Sequence, residues 1–202
     1  MVTISYAITA WNEEKELKAL LEQLTANIRS VDEIVLQLDT TATKEVREIA
    51  ESFPRVMVIE YPLEKNFANF KNNLVKSCKC RNIVFIDADE YVTKEFIDYL
   101  PSIIELNSDV DVLSIPRWNT VEGLTPEHIK KWGWRVDEQG RVNWPDLQTR
   151  IMKNDPEIKW AGRVHERITG WRVISRLPDE LCLYHHKTID RQEKQNELYD
   201  SI

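Results

Sequence analysis

Two hydrophobic periods alternate along residues 2–115. Residues 2–9 are a β-rich run (VTISYAIT) that predicts a strand. Leu17, Leu20, Leu21, Leu24 and Ile28 then recur at helical spacing, with Glu13 and Glu14 in an acidic first turn that suits the positive end of a helix dipole. Ile34 to Leu38 predicts a second strand ending at Asp39, and Val46, Ile49, Ala50 and Phe53 mark one face of a second helix. Val56 to Tyr61, bounded by Pro54 and Pro62, predicts a third strand, followed by a weaker helix over 66–77. Asn82 to Ile86 is an apolar strand that runs into Asp87-Ala88-Asp89-Glu90. Phe96, Ile97, Leu100, Ile103 and Ile104 predict another helix, broken or restarted at Pro101, before a strand over 110–115.

Strands alternating with helices predict an α/β fold, a mostly parallel central sheet flanked by helices. Beyond residue 118 the periodicity fades. A helix over 126–134, a strand over 146–153, one or two strands in 172–184 and a polar helix over 188–201 are expected there. We read 1–202 as a single domain. The first half is 1–118, and we read 119–202 as strands added to the sheet plus a lid.

Composition narrows the chemistry. The chain has 202 residues, 42% hydrophobic and 30% charged, enough to fold on a core without staples. A net charge of −7 argues against duplex nucleic acid as a partner. No apolar run approaches the ~20 residues of a membrane span, so no transmembrane segment is expected. Met1 to Tyr6 carries no basic residue, unlike a secretory signal. Cys78, Cys80 and Cys182 are an odd set that suggests reduced thiols and a cytoplasmic chain, and C-x-C lacks zinc-finger spacing. The five glycines all lie at or after Gly123. Neither a G-x-G-x-x-G turn nor a P-loop can therefore cradle phosphate on bare backbone in the first half. If the ligand is phosphorylated, a divalent metal is the natural substitute.

Ligands of open α/β sheets bind at the carboxyl ends of the strands. Asn12 and Glu13, Asp39, and Asp87 with Asp89 leave those ends. Two carboxylates at D-x-D spacing can turn toward one Mg²⁺ or Mn²⁺ ion, though the same residues would also serve as a solvated acidic turn ahead of a helix.

Ala10-Trp11-Asn12-Glu13-Glu14, Asp39, Phe67-Ala68-x-x-Lys71-Asn72 and Ile86-Asp87-Ala88-Asp89-Glu90 together resemble glycosyltransferase family 2, with a GT-A fold. Asp146-Leu147-Gln148-Thr149-Arg150, Trp160-Ala161-Gly162-Arg163-Val164-His165-Glu166 and Leu183-Tyr184-His185-His186-Lys187 extend the resemblance in order. Lys71-Asn72 stands where Arg-Asn is commoner, and Asn66 where an acid is commoner.

The resemblance implies a hexosyltransferase-type enzyme. It would move a sugar with inversion from a nucleotide-diphosphate donor, a UDP-sugar first, to a carbohydrate-type acceptor, with Mn²⁺ or Mg²⁺. It makes 1–118 the nucleotide-sugar-binding half and 119–202 the acceptor-binding and metal-completing half, and it puts Ala10, Asn12, Glu13, Asp39, Lys71, Asp87 and Ala88 at the donor. Asp89 and Asp87 would hold metal with His185, or with His186. Glu166 is the first choice of base and Asp146 the second. Gln148, Arg150 and Arg163 are candidates for acceptor or phosphate contacts.

An acceptor hydroxyl must lose its proton as it attacks the anomeric carbon, which calls for such a base. Each of these residues also has a plain structural use: Glu166 as an ion-pair partner of Arg163 or Arg167, Arg150 as a salt-bridge residue, the histidines as edge-strand residues. Six of seven tryptophans fall between Trp118 and Trp171. Most are expected in the core, with Trp132 and Trp134 as candidates for a sugar-facing lid. A non-catalytic nucleotide- or sugar-binding protein on the same fold is the competing reading. A nucleotidyltransferase fits less well because the glycine-rich loop is missing, and a dehalogenase-type phosphatase places its D-x-D after the first strand.

Overall fold

The computed structural model describes residues 1–200. The first half alternates as expected: β1 (Ile4–Ala10), α1 (Glu14–Asn27), β2 (Glu33–Asp39), α2 (Lys44–Glu51), β3 (Val56–Tyr61), α3 (Phe67–Ser77) and β4 (Asn82–Asp87). β5 (Glu90–Tyr91), α4 (Lys94–Leu106) and β6 (Val112–Glu122) follow. The second half comprises α5 (Pro126–Trp132), β7 (Val142–Lys153), β8 (Lys159–Ala161), β9 (Arg167–Thr169), β10 (Ile174–Arg176), β11 (Leu183–Thr188) and α6 (Ile189–Asp200).

Among the described residues a nine-stranded sheet runs β3-β2-β1-β4-β7-β6-β11-β5, with β10 beside β6. The β3-β2-β1-β4 half is parallel, β7 is antiparallel to both neighbours, and β11 is parallel to β6. Parallel strands buried on both faces need apolar centres, which Tyr6, Ile8, Val35, Leu36, Val84 and Phe85 supply at 1% exposure or less. One face packs on Leu17, Leu20, Leu21 and Leu24 of α1 and on Phe96, Ile97 and Leu100 of α4. The other packs on Ala68 and Leu74 of α3 and on Trp160 and Ile168 of the β8–β9 hairpin.

Capping follows the sequence closely. Thr43, Asn66, Thr93 and Thr125 each accept the N–H of the residue three positions on. Gly133 closes α5 at φ 65°, which shortens the helix expected over 126–134. Helix α4 corrects the expectation of a break: it runs through Pro101. Proline removes one helical hydrogen bond, and buried Phe96, Ile97, Leu100 and Ile104 hold both halves against the core. No helix among the described residues is long and apolar enough to cross a membrane.

Gly170 marks a close approach. At φ +86°, a Cβ on it would stand 1.9 Å from the Glu157 carbonyl oxygen. Gly140 has φ +73° but open space around it. We expect Gly170→Ala to cost about 2–5 kcal/mol, strain and overpacking together. Gly140→Ala should cost about 1–2 kcal/mol from strain alone. Thermal denaturation of both variants checks the difference, and equal losses would refute the packing account.

Candidate active site

The loop after β4 brings distant chain segments to one place. Glu90 Oε2 accepts the Asp87 N–H at 3.0 Å, closing the turn that carries Ala88 and Asp89. β5 then pairs antiparallel with β11, Glu90 opposite His185, so Asp89 comes up beside the His185 ring. Asp89 Oδ2 and His185 Nε2 lie 3.2 Å apart. Successive residues of a strand face opposite ways, and His186 turns outward to Thr120 Oγ1 at 2.7 Å.

A row of alternating charges crosses the same region. Arg117 Nη2 meets Asp146 Oδ2 at 2.7 Å and its Nη1 meets Glu90 Oε1 at 3.2 Å. Arg150 Nη2 bridges Glu90 Oε1 at 3.1 Å and Asp87 Oδ2 at 2.6 Å. Lys71 Nζ joins Asp87 Oδ1 at 3.4 Å to Glu166 Oε1 at 2.8 Å, and sits 4.6 Å from the centroid of the Trp160 ring. Glu90 is the hub of this row, with a side chain wholly removed from solvent.

Burial alone would raise the Asp87 pKa, but Arg150 and Lys71 outweigh it and hold the carboxyl far below its ordinary range. Burial opposes ionisation of Asp89 too, and the His185 contact overrides it. Burial pushes His185 down and thus toward the neutral ring. Burial likewise pushes Lys187 down and Tyr199 up to about 12.

Most of these groups line a cavity of about 740 Å³. Lys71, Asp87, Asp89, Arg150, Glu166 and His185 line it together with Asp146, Gln148, Trp134 and Trp171. Residues Gln192, Gln195, Asn196 and Tyr199 of α6 line it too. Glu166 reaches the wall from the loop joining β8 to β9. Gly162 at φ 100° and His165 at φ 53° bend that loop, an uncommon conformation for a histidine.

The remaining expected residues distribute as follows. Ala10 and Ala88 are buried, and Ala88 N–H bonds the Thr9 carbonyl at 3.1 Å. Glu13 Oε2 accepts the N–H groups of Trp11 and Asn12 at 2.7 and 3.0 Å, while Asn12 itself is exposed. Asp39 ties two loops, accepting from Thr41 N–H and from Leu63 N–H at 2.7 Å each. Asp146 accepts from Arg117, from Asn119 at 2.8 Å and from Gln148 at 2.7 Å, so its lone pairs are heavily engaged. Arg163 is exposed, and its carbonyl accepts the Phe67 N–H at 2.9 Å. Trp134 faces the cavity; Trp132 lies against it, 4.6 Å between centroids, and stacks on His128.

Sequence reasoning missed Glu90, Arg117, Asn119 and Arg191. Arg191 bonds Glu16 at 2.9 Å and lies 3.3 Å from Glu13 and 3.7 Å from Asp89. The signal for Arg117 and Asn119 was their polarity in a strand that begins Val112-Leu113-Ser114-Ile115.

Among the described residues no three His, Cys, Asp or Glu side chains gather closely enough to hold a metal ion, because Asp87 is turned to Arg150 and Lys71. The Asp89–His185 pair nevertheless fits a cation. Two cis ligands at about 2.1–2.2 Å from an octahedral ion stand about 3 Å apart. A carboxylate oxygen and an imidazole nitrogen separated by 3.2 Å match that spacing and leave coordination positions for substrate oxygens.

Residues 5–176 match the family model described as Glycosyl transferase family 2. An "Uncharacterized glycosyltransferase" of Haemophilus influenzae is 27% identical over 113 residues, 56% of this chain and 38% of that protein. The crystal structure of S. aureus TarS 1-349 in complex with UDP superposes with a TM-score of 0.66 at 18% identity, over 98% of this chain and 64% of that one. The same TarS segment in complex with UDP-GlcNAc gives 0.65 at 19% identity, over 93% and 59%. At these identities the structural likeness is one of fold, and the chain spans less than two thirds of each of these relatives.

Proposed function

The chain belongs to glycosyl transferase family 2, and from that membership we propose that it is a metal-dependent, inverting glycosyltransferase using a UDP-sugar donor and a carbohydrate-type acceptor. The observation that carries this reading is the meeting of Asp89, His185, Asp87, Lys71 and Glu166 on one cavity at the carboxyl ends of β1 and β4. The uridine donor is put first because the TarS structures hold UDP and UDP-GlcNAc.

Asp89 and His185 would hold Mn²⁺ or Mg²⁺, which when bound neutralises charge on the departing diphosphate. Glu166 takes the proton of the acceptor hydroxyl as its oxygen bonds the anomeric carbon. The anomeric carbon–phosphate oxygen bond breaks in the same step and its electron pair leaves on the diphosphate. Attack from the face opposite the leaving group inverts the centre. Lys71, already paired with Glu166 and Asp87, keeps both carboxylates oriented across the reacting centre. Trp134 and Trp171 offer apolar faces to an acceptor ring.

Thermal unfolding with UDP, with Mn²⁺ and with both tests the reading. UDP at about 100 times its Kd should stabilise by about 2.7 kcal/mol, a rise of about 5–10 °C, and only when Mn²⁺ is present. UDP release from a panel of UDP-sugars then names the donor. No shift with any nucleotide, with or without metal, would overturn the proposal.

A further inference from the structure

Asn119 lies at the centre of a hydrogen-bonded line that none of the roles above uses. Its Nδ2 donates to Asp146 Oδ2 at 2.8 Å, and its Oδ1 stands 2.8 Å from His185 Nδ1. Sheet register puts it there. β6 and β11 run parallel with Asn119 opposite His185. Arg117 and Asn119, two apart in β6, face the same way, and both reach the one carboxylate of Asp146.

An amide can be built either way round, but here its neighbours decide. Asp146 is an acceptor only: burial would raise its pKa, yet Arg117 and its hydrogen-bond donors keep it ionised. Turning the amide over would press Oδ1 against that carboxylate. The NH₂ group must therefore face Asp146, and the carbonyl oxygen must face the ring. A carbonyl oxygen at 2.8 Å requires a proton on Nδ1. The nitrogen aimed at Asp89 is then Nε2, 3.2 Å from Oδ2.

We propose that Asn119 is the positioning residue of the cation site. Held by Asp146, it keeps a proton on Nδ1, so that Nε2, which faces Asp89, is the nitrogen a cation takes in place of its proton. This rests on the metal-dependent reading above. Outer partners of this kind orient a ligating histidine and typically change metal affinity by about 10–100-fold when removed.

The test is ¹⁵N–¹H correlation NMR of histidine-labelled, metal-free protein, with Mn²⁺ binding followed separately by electron paramagnetic resonance. We expect Nδ1 of His185 to carry a proton in the wild type. We expect Asn119→Ala to lose that preference and to bind Mn²⁺ about 10–100-fold more weakly. A bare Nδ1 in the wild type, with the proton on Nε2 alone, overturns the proposal whether or not the variant folds. Unchanged Mn²⁺ affinity in folded Asn119→Ala overturns it too. A protonated Nδ1 in a wild-type protein that binds no Mn²⁺ sinks the metal-dependent reading and the positioning role with it, and leaves only the amide's orientation standing.

Discussion

Asp89→Ala is expected to lower turnover by at least about a thousand-fold, the scale of several kcal/mol of charge stabilisation. It should also abolish the Mn²⁺-dependent part of UDP binding. Stability should change little, because the partners it leaves keep others: His185 retains Asn119, and Arg191 retains Glu13 and Glu16. Asp87→Ala should behave differently. It strips Arg150 and Lys71 of a counter-charge, and both are nearly buried, so Tm should fall as well. Measuring kcat, Mn²⁺-dependent UDP binding and Tm for both variants separates the two carboxylates. If Asp89→Ala keeps its Mn²⁺-dependent UDP response, Asp89 is not a metal ligand.

Glu166→Gln should reduce kcat by about 10²–10⁴-fold while leaving KM for donor and acceptor close to wild type. The amide keeps the shape and can still accept from Lys71 Nζ, but it cannot take a proton. Steady-state kinetics with the identified donor provide the check. An unchanged kcat would refute Glu166 as the base. Asp146 makes a poor substitute, since Arg117, Asn119 and Gln148 already occupy it, and Asp146→Asn should register as loss of order around Arg117 and Asn119.

The βα alternation was readable because each strand and helix of the first half, β5 apart, is long enough to display its period. The D-x-D at the end of β4 and the histidine following Leu183-Tyr184 were readable for the same reason: polar residues stand out where an apolar strand stops. Two-residue β5 and the three-residue strands β8 and β9 were not, since so few residues show no period. Pro101 misled because local propensity was overruled by packing on both sides of it. Glu90, Arg117 and Asn119 escaped for a different reason. Their importance depends on register between strands 27 to 66 residues apart, as in Glu90 with Arg117 and Asn119 with His185, which one sequence does not encode locally. Asp39 was legible in the same way as the D-x-D, as a polar residue where apolar β2 stops, but the tie its carboxylate makes between two loops was not.

The alternating row from Asp146 through Arg117, Glu90, Arg150, Asp87 and Lys71 to Glu166 bears on how variants of this protein combine. Neighbours in it share a partner, so removing one releases the next, and effects measured singly will not sum. An alanine scan would rank Glu90 among the gravest losses, although its side chain is sealed from solvent beneath the groups that line the cavity. Paired substitutions that delete one positive and one negative neighbour, such as Glu90→Gln with Arg117→Gln, should be milder than the sum of their parts. In this row the unit of change is therefore the pair rather than the residue, and drift at either end is constrained by charges several side chains away.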